Sequence, residues 1–201
     1  MRRRAQAWGG AALLALAAAV AQAAPASATA SASASASSTA SAPALIAQQL
    51  PDARLAGQGV YTWFGLTIYQ AQLWVGPQGY RGAAPDAAPF VLDLRYARTL
   101  NGRKIADASA DQMRKIGAGS EAQRAAWLQA MRAIFPDVTE GMHISGVYSP
   151  GAGTRFYLDG RPLGEVPDPA FARAFFGIWL DPASTDGDLR TALLRDAAPS
   201  P

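Results

Sequence analysis

An almost unbroken apolar run occupies residues 55–75, in the segment that includes YTWFGLTIYQAQLWV. We predict two strands separated near Gly65, or one long bent strand, because the run is rich in aromatic and β-branched residues. Both parities are apolar, so we expect other elements to cover both faces of the sheet here. The bulky positions are Tyr61, Trp63, Thr67, Tyr69, Leu73 and Val75 at odd numbers, and Phe64, Leu66, Ile68 and Trp74 at even numbers.

The next strand is predicted at residues 90–97, FVLDLRYA, after a Gly/Pro/Ala-rich loop at residues 76–89. Its apolar side chains share one parity. On the opposite parity, we interpret Asp93 and Arg95 as an exposed pair.

The apolar period then changes to that of amphipathic helices. KIADASADQMRKI, at residues 104–116, predicts the first helix. A second helix begins at Ser120, because Ser120 and Gln123 have the spacing of a capping box. Pro136 and Asp137 end it.

Three strands are predicted next, at residues 142–148, 154–158 and 162–166. Asp159-Gly160 joins the last two, since this dipeptide accepts the positive φ angles of a tight hairpin.

Two helices follow these strands. Asp168 caps the first of them and Pro169 is at its first position. Its apolar stripe is Phe171, Phe175, Ile178 and Trp179, and the second helix covers residues 186–194. The order of strands, helices, strands and helices predicts an α+β fold with helices gathered on a mainly antiparallel sheet.

The amino terminus predicts export. Residues 1–23 combine three arginines, a short Ala/Leu-rich run and Ala21-Gln22-Ala23, which is the pattern of a cleavable secretory signal peptide. The apolar run is shorter than the about 20 residues of a membrane span, so we expect a periplasmic protein with no transmembrane anchor after cleavage. A retained anchor helix is the alternative.

The rest of the chain divides by composition. The Ala/Ser/Pro-rich residues 24–44 are predicted to form a disordered tether, because they have no bulky side chains to bury. Residues 45–196 have the length of one domain. Residues 197–201 are predicted to be a disordered tail.

Charge and cysteine content exclude several classes of function. Without Arg2, Arg3 and Arg4, the 18 basic side chains fall to 15, which equals the 15 acidic ones. A basic surface for nucleic acid is therefore not expected. The chain has no cysteine, which excludes disulfides, a cysteine nucleophile and cysteine metal ligands. We predict no metal site and no cofactor, and GPQGYRG at residue 76 is a weak phosphate motif because no helix follows it.

Three segments together resemble the chalcone isomerase-like proteins exported by bacteria. They are GQGVYTWFGLTIYQAQLWV, LRYARTLNGRKIADAS and GTRFYLDGRPLGEVPDPAFARAFFGIWLDPAST, within residues 55–194. Plant chalcone isomerases and plant fatty-acid-binding proteins belong to the same superfamily. The resemblance implies an open-faced β-sandwich, in which a large antiparallel sheet has helices on one face and a ligand cleft lies between them.

The chain departs from the pattern of the plant isomerases. There, an arginine that orients the anionic substrate oxygen follows a Gly-x-Gly-x motif, whereas here Tyr61 follows Gly57-Gln58-Gly59-Val60. The tyrosine and asparagine of the plant helix correspond to Ile105 and Gln112. Since loss of one oxyanion donor costs about 10²–10³ in rate, little of that mechanism remains, and we predict no catalytic residue.

Five residues are candidates for ligand binding. Tyr61, Thr67 and Tyr69 share one parity of the first strands and have polar tips that can line a cleft. Tyr96 and Arg98 lie at the end of the FVLDLRYAR strand, where the pair can hold a carboxylate by charge-assisted hydrogen bonds. The alternatives are that tyrosine and threonine are simply good strand formers and that the arginine is solvated.

Two other residues have structural interpretations. His143, the only histidine, has no second histidine or cysteine beside it, so we expect a structural or surface role. Phe176 lies off the apolar stripe of its helix and is a candidate to border the cleft.

Three functions remain open. The preferred one is an exported, non-catalytic protein that binds a fatty acid or a similar amphipathic or aromatic small molecule in a cleft between sheet and helices. The first alternative is an intramolecular lyase or isomerase of the chalcone isomerase type. The second is an envelope structural protein with a filled core. The oligomeric state is left open.

Overall fold

The computed structural model describes residues 42–82, 84–85 and 87–199. The predicted signal peptide and nearly all of the predicted tether lie outside these residues.

A six-stranded antiparallel sheet forms the centre of the fold, and each strand pairs with the next one along the chain. The predicted α+β class, with an open antiparallel sheet, is confirmed. The strands are β1 (Arg54–Trp63), β2 (Leu66–Val75), β3 (Phe90–Tyr96), β4 (His143–Ser149), β5 (Gly153–Leu158) and β6 (Arg161–Val166).

Five helices accompany the sheet in the described part of the chain. Four of them cover one face, which we call the inner face; α4 and α5 contact the sheet directly, and α2 and α3 pack beside α4 and β6. The helices are α1 (Ala44–Gln49), α2 (Gly102–Lys115), α3 (Glu121–Ile134), α4 (Pro169–Leu180) and α5 (Gly187–Leu193).

The helix ends follow the predicted capping chemistry. Ser120 and Gln123 form the capping box of α3 through reciprocal side-chain to backbone hydrogen bonds. Asp168 caps α4, where its carboxylate accepts a hydrogen bond from the backbone N–H of Ala170, and Pro169 occupies the first turn.

Sequence periodicity did not predict α1, which lies on the opposite face of the sheet, here called the outer face. Ile46 and Leu50 pack there against Trp74, Val91 and Val147. A single turn and a half of helix is too short to show a clear apolar period.

The apolar run of residues 55–75 forms two strands joined by the two-residue turn Phe64-Gly65. Burial of both faces holds at one end, where Trp74 is covered by α1 and Leu73 by the inner-face helices. At the turn, the prediction that both faces are buried is wrong, because the hairpin extends past the end of β3 and no element of the described chain covers its tip.

Aromatic rings fill the space between α4 and the sheet. Successive ring centroids lie 5–7 Å apart, mostly edge to face, which is the favoured geometry for aromatic pairs. We call this set the aromatic layer: Tyr69, Phe90, Tyr148 and Phe156 from the sheet, and Phe171, Phe175, Phe176 and Trp179 from α4.

Two glycines of β1 allow α5 to approach the sheet closely. A Cβ on Gly57 would lie 2.1 Å from the carbonyl oxygen of Ala192 and 2.5 Å from that of Leu193, and one on Gly59 would lie 2.6 Å from Leu189 Cδ1. The Gly-x-Gly motif of this chain therefore has a packing role.

The carboxyl-terminal segment continues this contact. The backbone N–H of Asp196 donates to the carbonyl oxygen of Ala56, and the Arg54 guanidinium donates to the carbonyl oxygen of Asp196. Ala197, at the start of the predicted tail, is buried and accepts a hydrogen bond from the backbone N–H of Tyr80.

Gly57→Ala is expected to reduce the free energy of unfolding by about 3 kcal/mol, because the new methyl group meets backbone atoms that cannot rotate away. Gly82→Ala is the control, since a Cβ there has no neighbour within 4 Å, and its effect should stay within about 0.5 kcal/mol. Urea unfolding of both variants measures the difference, and equal stability of the two would contradict the close α5 contact.

Candidate ligand site

Three of the candidate tyrosines form a row across the inner face of β1, β2 and β3. Tyr61 is paired with Tyr69, and Tyr69 with Tyr96, in the strand register. The rings of Tyr61 and Tyr69 stack with centroids 5.1 Å apart, and those of Tyr69 and Tyr96 meet edge to face at 6.1 Å. The parity of the strands therefore brings these residues together, as the sequence indicates for the first two.

Trp179 of α4 completes this group, which we call the tyrosine row. Its indole Nε1–H donates a 3.0 Å hydrogen bond to the Tyr69 hydroxyl oxygen. Helical spacing with Phe175 marked Trp179 only as a core residue. The polar N–H of a buried tryptophan, which requires a partner, was the signal that could have identified it.

Burial keeps the hydroxyls of Tyr69 and Tyr96 neutral. Burial raises the pKa of Tyr69 far above its ordinary value, the neighbouring tyrosines add to this, and the hydrogen bond from Trp179 opposes it. Burial also raises the pKa of Tyr96. These hydroxyls consequently act as hydrogen-bond donors at physiological pH and not as bases, and the proton of Tyr69 remains available because Trp179 uses only its oxygen.

Arg98 lies in the bend just after β3, two residues beyond Tyr96, and is half-buried. Its Nε is fully buried and has no hydrogen-bond partner among the residues that the structure describes. A buried donor without a partner is costly. This guanidinium is therefore suited to an anionic group such as a carboxylate, with which it forms charge-assisted hydrogen bonds.

Thr67 is not part of this arrangement. It has the same parity as Tyr69 in β2 but pairs with Thr62 near the hairpin turn, and its side chain is exposed. The bulge between Tyr61 and Thr62 displaces the end of the hairpin from the row.

A cleft of about 130 Å³ opens at the other end of the sheet, between α4, the ends of β3 and β4, and the loop that follows β2. Phe176 borders it, together with Tyr80, Phe90, Tyr148 and Leu180. The volume is well below the about 300–1,000 Å³ of a typical small-molecule pocket.

The aromatic layer connects the tyrosine row to this cleft. Ring centroids are 5.4 Å apart from Trp179 to Phe175, 5.4 Å from Phe175 to Phe176, and 4.8 Å from Phe176 to Phe90. The sequence left open whether aromatic side chains fill the gap between sheet and helices. In the structure they fill this path, so an acyl chain could enter only as rings move.

The two positions that correspond to the catalytic helix of the plant isomerases have other contacts here. Ile105 is partly buried and packs on the apolar core. The side-chain carbonyl of Gln112 accepts a 2.8 Å hydrogen bond from the Thr185 hydroxyl.

A polar cluster on the outer face corrects the interpretation of Asp93 and Arg95 as an exposed pair. Asp93 is only 4% exposed. Its carboxylate accepts a 2.6 Å hydrogen bond from the Ser145 hydroxyl and lies 2.7 Å from Nδ1 of His143. Arg95 is exposed and lies directly across the strand pair from His143. Strand register places these groups together, and a single strand does not reveal it.

His143 is held by this cluster in a defined orientation. The hydrogen bond to Asp93 raises the pKa of the His143 imidazole, burial opposes the rise, the charges of Asp93 and Asp159 support it, and Arg95 opposes it. The backbone N–H of His143 also donates to the Asp159 carboxylate. This confirms a structural contact for the histidine that the sequence left without a partner.

The stability of the protein should depend on pH through His143. Because the folded-state pKa is raised above the ordinary value of 6.5, the stabilisation is complete below about pH 6.5. It is then lost as pH rises through the folded-state pKa. His143→Gln should flatten the profile of unfolding free energy between pH 6 and 9, since the chain has no other histidine. Parallel profiles for both proteins would contradict the His143–Asp93 pair.

The described residues contain neither a metal-binding cluster nor a membrane-spanning helix. No group of three or more histidine, aspartate or glutamate side chains there is arranged to hold a metal ion. No helix within residues 42–199 is long and apolar enough to cross a membrane.

An open antiparallel sheet with helices on its inner face and a row of polar-tipped aromatic side chains between them defines an open-faced β-sandwich. A family model described as chalcone isomerase-like matches residues 36–195. The chain therefore belongs to the chalcone isomerase-like family.

The proteins similar to this chain include one bacterial and one plant protein. An uncharacterized protein of Haemophilus influenzae is 28% identical over 138 residues, which are 69% of this chain and 66%, just under two thirds, of that relative. The crystal structure of a fatty-acid binding protein from Arabidopsis thaliana superposes with a TM-score of 0.59 and 14% identity, over 73% of this chain and 89% of that one. At that identity the likeness shows the fold alone, and it confirms the predicted fold type.

Proposed function

We propose that this protein binds a fatty acid or a similar amphipathic small molecule between the sheet and α4 without transforming it. The Arabidopsis protein of the same fold is named as a fatty-acid binding protein, and the chain belongs to a family that shares this architecture. The following contacts support the proposal for this chain.

The unpartnered Nε of Arg98 carries the proposal. A carboxylate head group would supply the acceptor that this buried donor lacks. We propose that the hydroxyls of Tyr69 and Tyr96, which burial keeps protonated, donate further hydrogen bonds to this head group. The ligand class is therefore one with an anionic or strongly accepting head.

The hydrocarbon part of the ligand would follow the aromatic layer from Trp179 towards the cleft beside Phe176. This path is apolar throughout, which suits an acyl chain. Its 130 Å³ cleft is too small for a long chain as it stands. Binding therefore requires that rings of the layer, in particular Phe176 at the cleft, rotate or shift.

We further propose that the protein works after export. The basic start, the short apolar run and the small-residue cleavage pattern of residues 1–23 support a periplasmic location. We infer binding and not catalysis because Tyr61 stands where the plant isomerases have an arginine. Cyclisation of a chalcone panel by the purified protein would contradict this inference.

Recovery of the protein from the periplasm followed by native mass spectrometry tests the proposal as a whole. The expected result is a bound species of fatty-acid mass, or a rise in melting temperature when fatty acids are added. Absence of both across a panel of chain lengths would overturn it.

Arg98→Gln is expected to weaken the binding of palmitate by about 10- to 100-fold, because a hydrogen bond to a charged group contributes about 1.5–3 kcal/mol. Arg95→Gln is the matched control. Arg95 lies three residues earlier, is exposed and is on the outer parity of β3, so this change should alter affinity less than about two-fold.

Titration calorimetry with palmitate and with the alcohol of the same chain length separates the head group from the chain. Wild type should prefer the acid, and Arg98→Gln should lose the preference. An equal loss of affinity in both variants would place the head group elsewhere.

Phe176→Leu tests the path of the chain. It removes part of a ring that borders the cleft, so we expect tighter binding of long-chain fatty acids together with a loss of about 1 kcal/mol in unfolding free energy. Ile134→Val, at a partly buried position beside β6, should cost similar stability without changing affinity. Unchanged affinity in Phe176→Leu would show that the chain does not reach this end of the layer.

A further inference from the structure

The β1–β2 turn collects the exposed apolar side chains of the described structure in one place. The large hydrophobic residues that are exposed are Val60 at 51%, Trp63 at 58%, Phe64 at 85% and Leu66 at 48%. All four lie within seven residues of one hairpin. Single exposed apolar side chains are common, but a group of this size indicates a contact surface.

The backbone of this turn is unfavourable for the residue that occupies it. Phe64 and Gly65 have φ angles of +47° and +73°, the left-handed values of a type I′ turn. A phenylalanine at positive φ is strained, since such positions favour glycine, asparagine and aspartate. The ring of Phe64 contacts that of Trp63 with centroids 4.7 Å apart and otherwise lies in solvent.

The same chain contains a second turn of this geometry with the expected residues. Asp159 and Gly160 join β5 to β6 with φ angles of +47° and +81°. At this turn the fold uses the favoured Asp-Gly, and the Asp159 carboxylate also accepts a hydrogen bond from the backbone N–H of His143. At the β1–β2 turn, Phe-Gly adds backbone strain and an exposed ring, and within the described residues the only ring contact of Phe64 is the one with Trp63.

The hairpin also projects from the body of the sheet. Tyr69 is the residue of β2 nearest the turn that pairs with β3, and the carbonyl oxygen of Ile68 still accepts a hydrogen bond from the backbone N–H of Ala97. Residues 66 and 67 and their partners in β1 extend beyond this contact by about 7 Å at about 3.3 Å per residue. The sequence from residue 55 to residue 80 contains no charged side chain. A narrow, uncharged, aromatic projection of this length matches the about 5–10 Å depth at which apolar side chains enter a lipid interface.

From these observations we propose that the tip formed by Val60, Trp63, Phe64 and Leu66 inserts into the surface of a lipid bilayer. Tryptophan and phenylalanine are the side chains that anchor proteins at membrane–water interfaces. The proposal is independent of the ligand bound between the sheet and α4.

A protein partner fits this surface less well. Four side chains at these exposures present on the order of 400 Å², whereas a stable protein interface buries about 800 Å² on each partner. A bilayer needs no complementary pocket and can accept a convex tip.

Phe64→Asn tests the proposal without harming the fold. Asn-Gly is a preferred type I′ dipeptide, so the variant should be at least as heat-stable as wild type. Flotation with vesicles of phosphatidylcholine, alone and mixed with phosphatidylglycerol, measures membrane binding. Wild type should bind both, with little dependence on salt, and Phe64→Asn should bind about 10- to 100-fold more weakly.

Both proteins carry the same residues 1–41, so the difference between them isolates the tip. Asp159→Asn, at the other turn, is the control and should bind vesicles as wild type does. Equal binding of wild type and Phe64→Asn would overturn the proposal. Binding that occurs only with anionic vesicles and is abolished by salt would also overturn it. If wild type forms a dimer and does not bind vesicles, and Phe64→Asn is a monomer, the tip is instead a contact surface for a second copy of the chain.

Discussion

Interlocked aromatic rings between α4 and the inner face of the sheet hold the two layers of this domain together. Phe156 of β5 meets both Phe171 and Phe175 edge to face, and Phe90 of β3 meets Phe176 in the same way. α2 packs against α4, and α3 packs against α2 and β6, so α4 also helps to hold this pair of helices in place. In the binding mode proposed above, a ligand displaces some of these same rings, so stability and binding would depend on one set of contacts.

The elements of the fold follow from local patterns, and so does part of the site. Capping residues such as Ser120 and Asp168 and the Asp159-Gly160 turn fix element ends through their own chemistry. The alternation of side chains along β1 and β2 was enough to group Tyr61 with Tyr69. The position of Tyr96 at the end of β3 was enough to identify it as a candidate. What a strand cannot show is its neighbour: the pairing of β3 with β4 places Asp93 against His143 and Ser145, and this register depends on contacts 50 residues apart along the chain.

The sequence wrongly predicted burial at the β1–β2 turn, where the apolar run continues beyond the end of the neighbouring strand. Apolar side chains continue through Trp63, Phe64 and Leu66, and a continuous run indicates a strand covered on both faces. The adjoining strand β3 stops at Tyr96, however, and nothing extends over the turn. The glycines of β1 show a motif with a different role. Gly57 and Gly59 keep the Gly-x-Gly spacing of the plant isomerases, but here α5 packs directly against them.

Contact between the first strand and the last helix joins the two ends of the domain. The sheet pairs only neighbours along the chain, so adjacent strands can pair in chain order. The surface of β1 at Gly57 and Gly59 is nevertheless covered only once α5 has packed against it. A chain interrupted before residue 187 would therefore lack α5 and leave this surface of β1 open to proteases and chaperones.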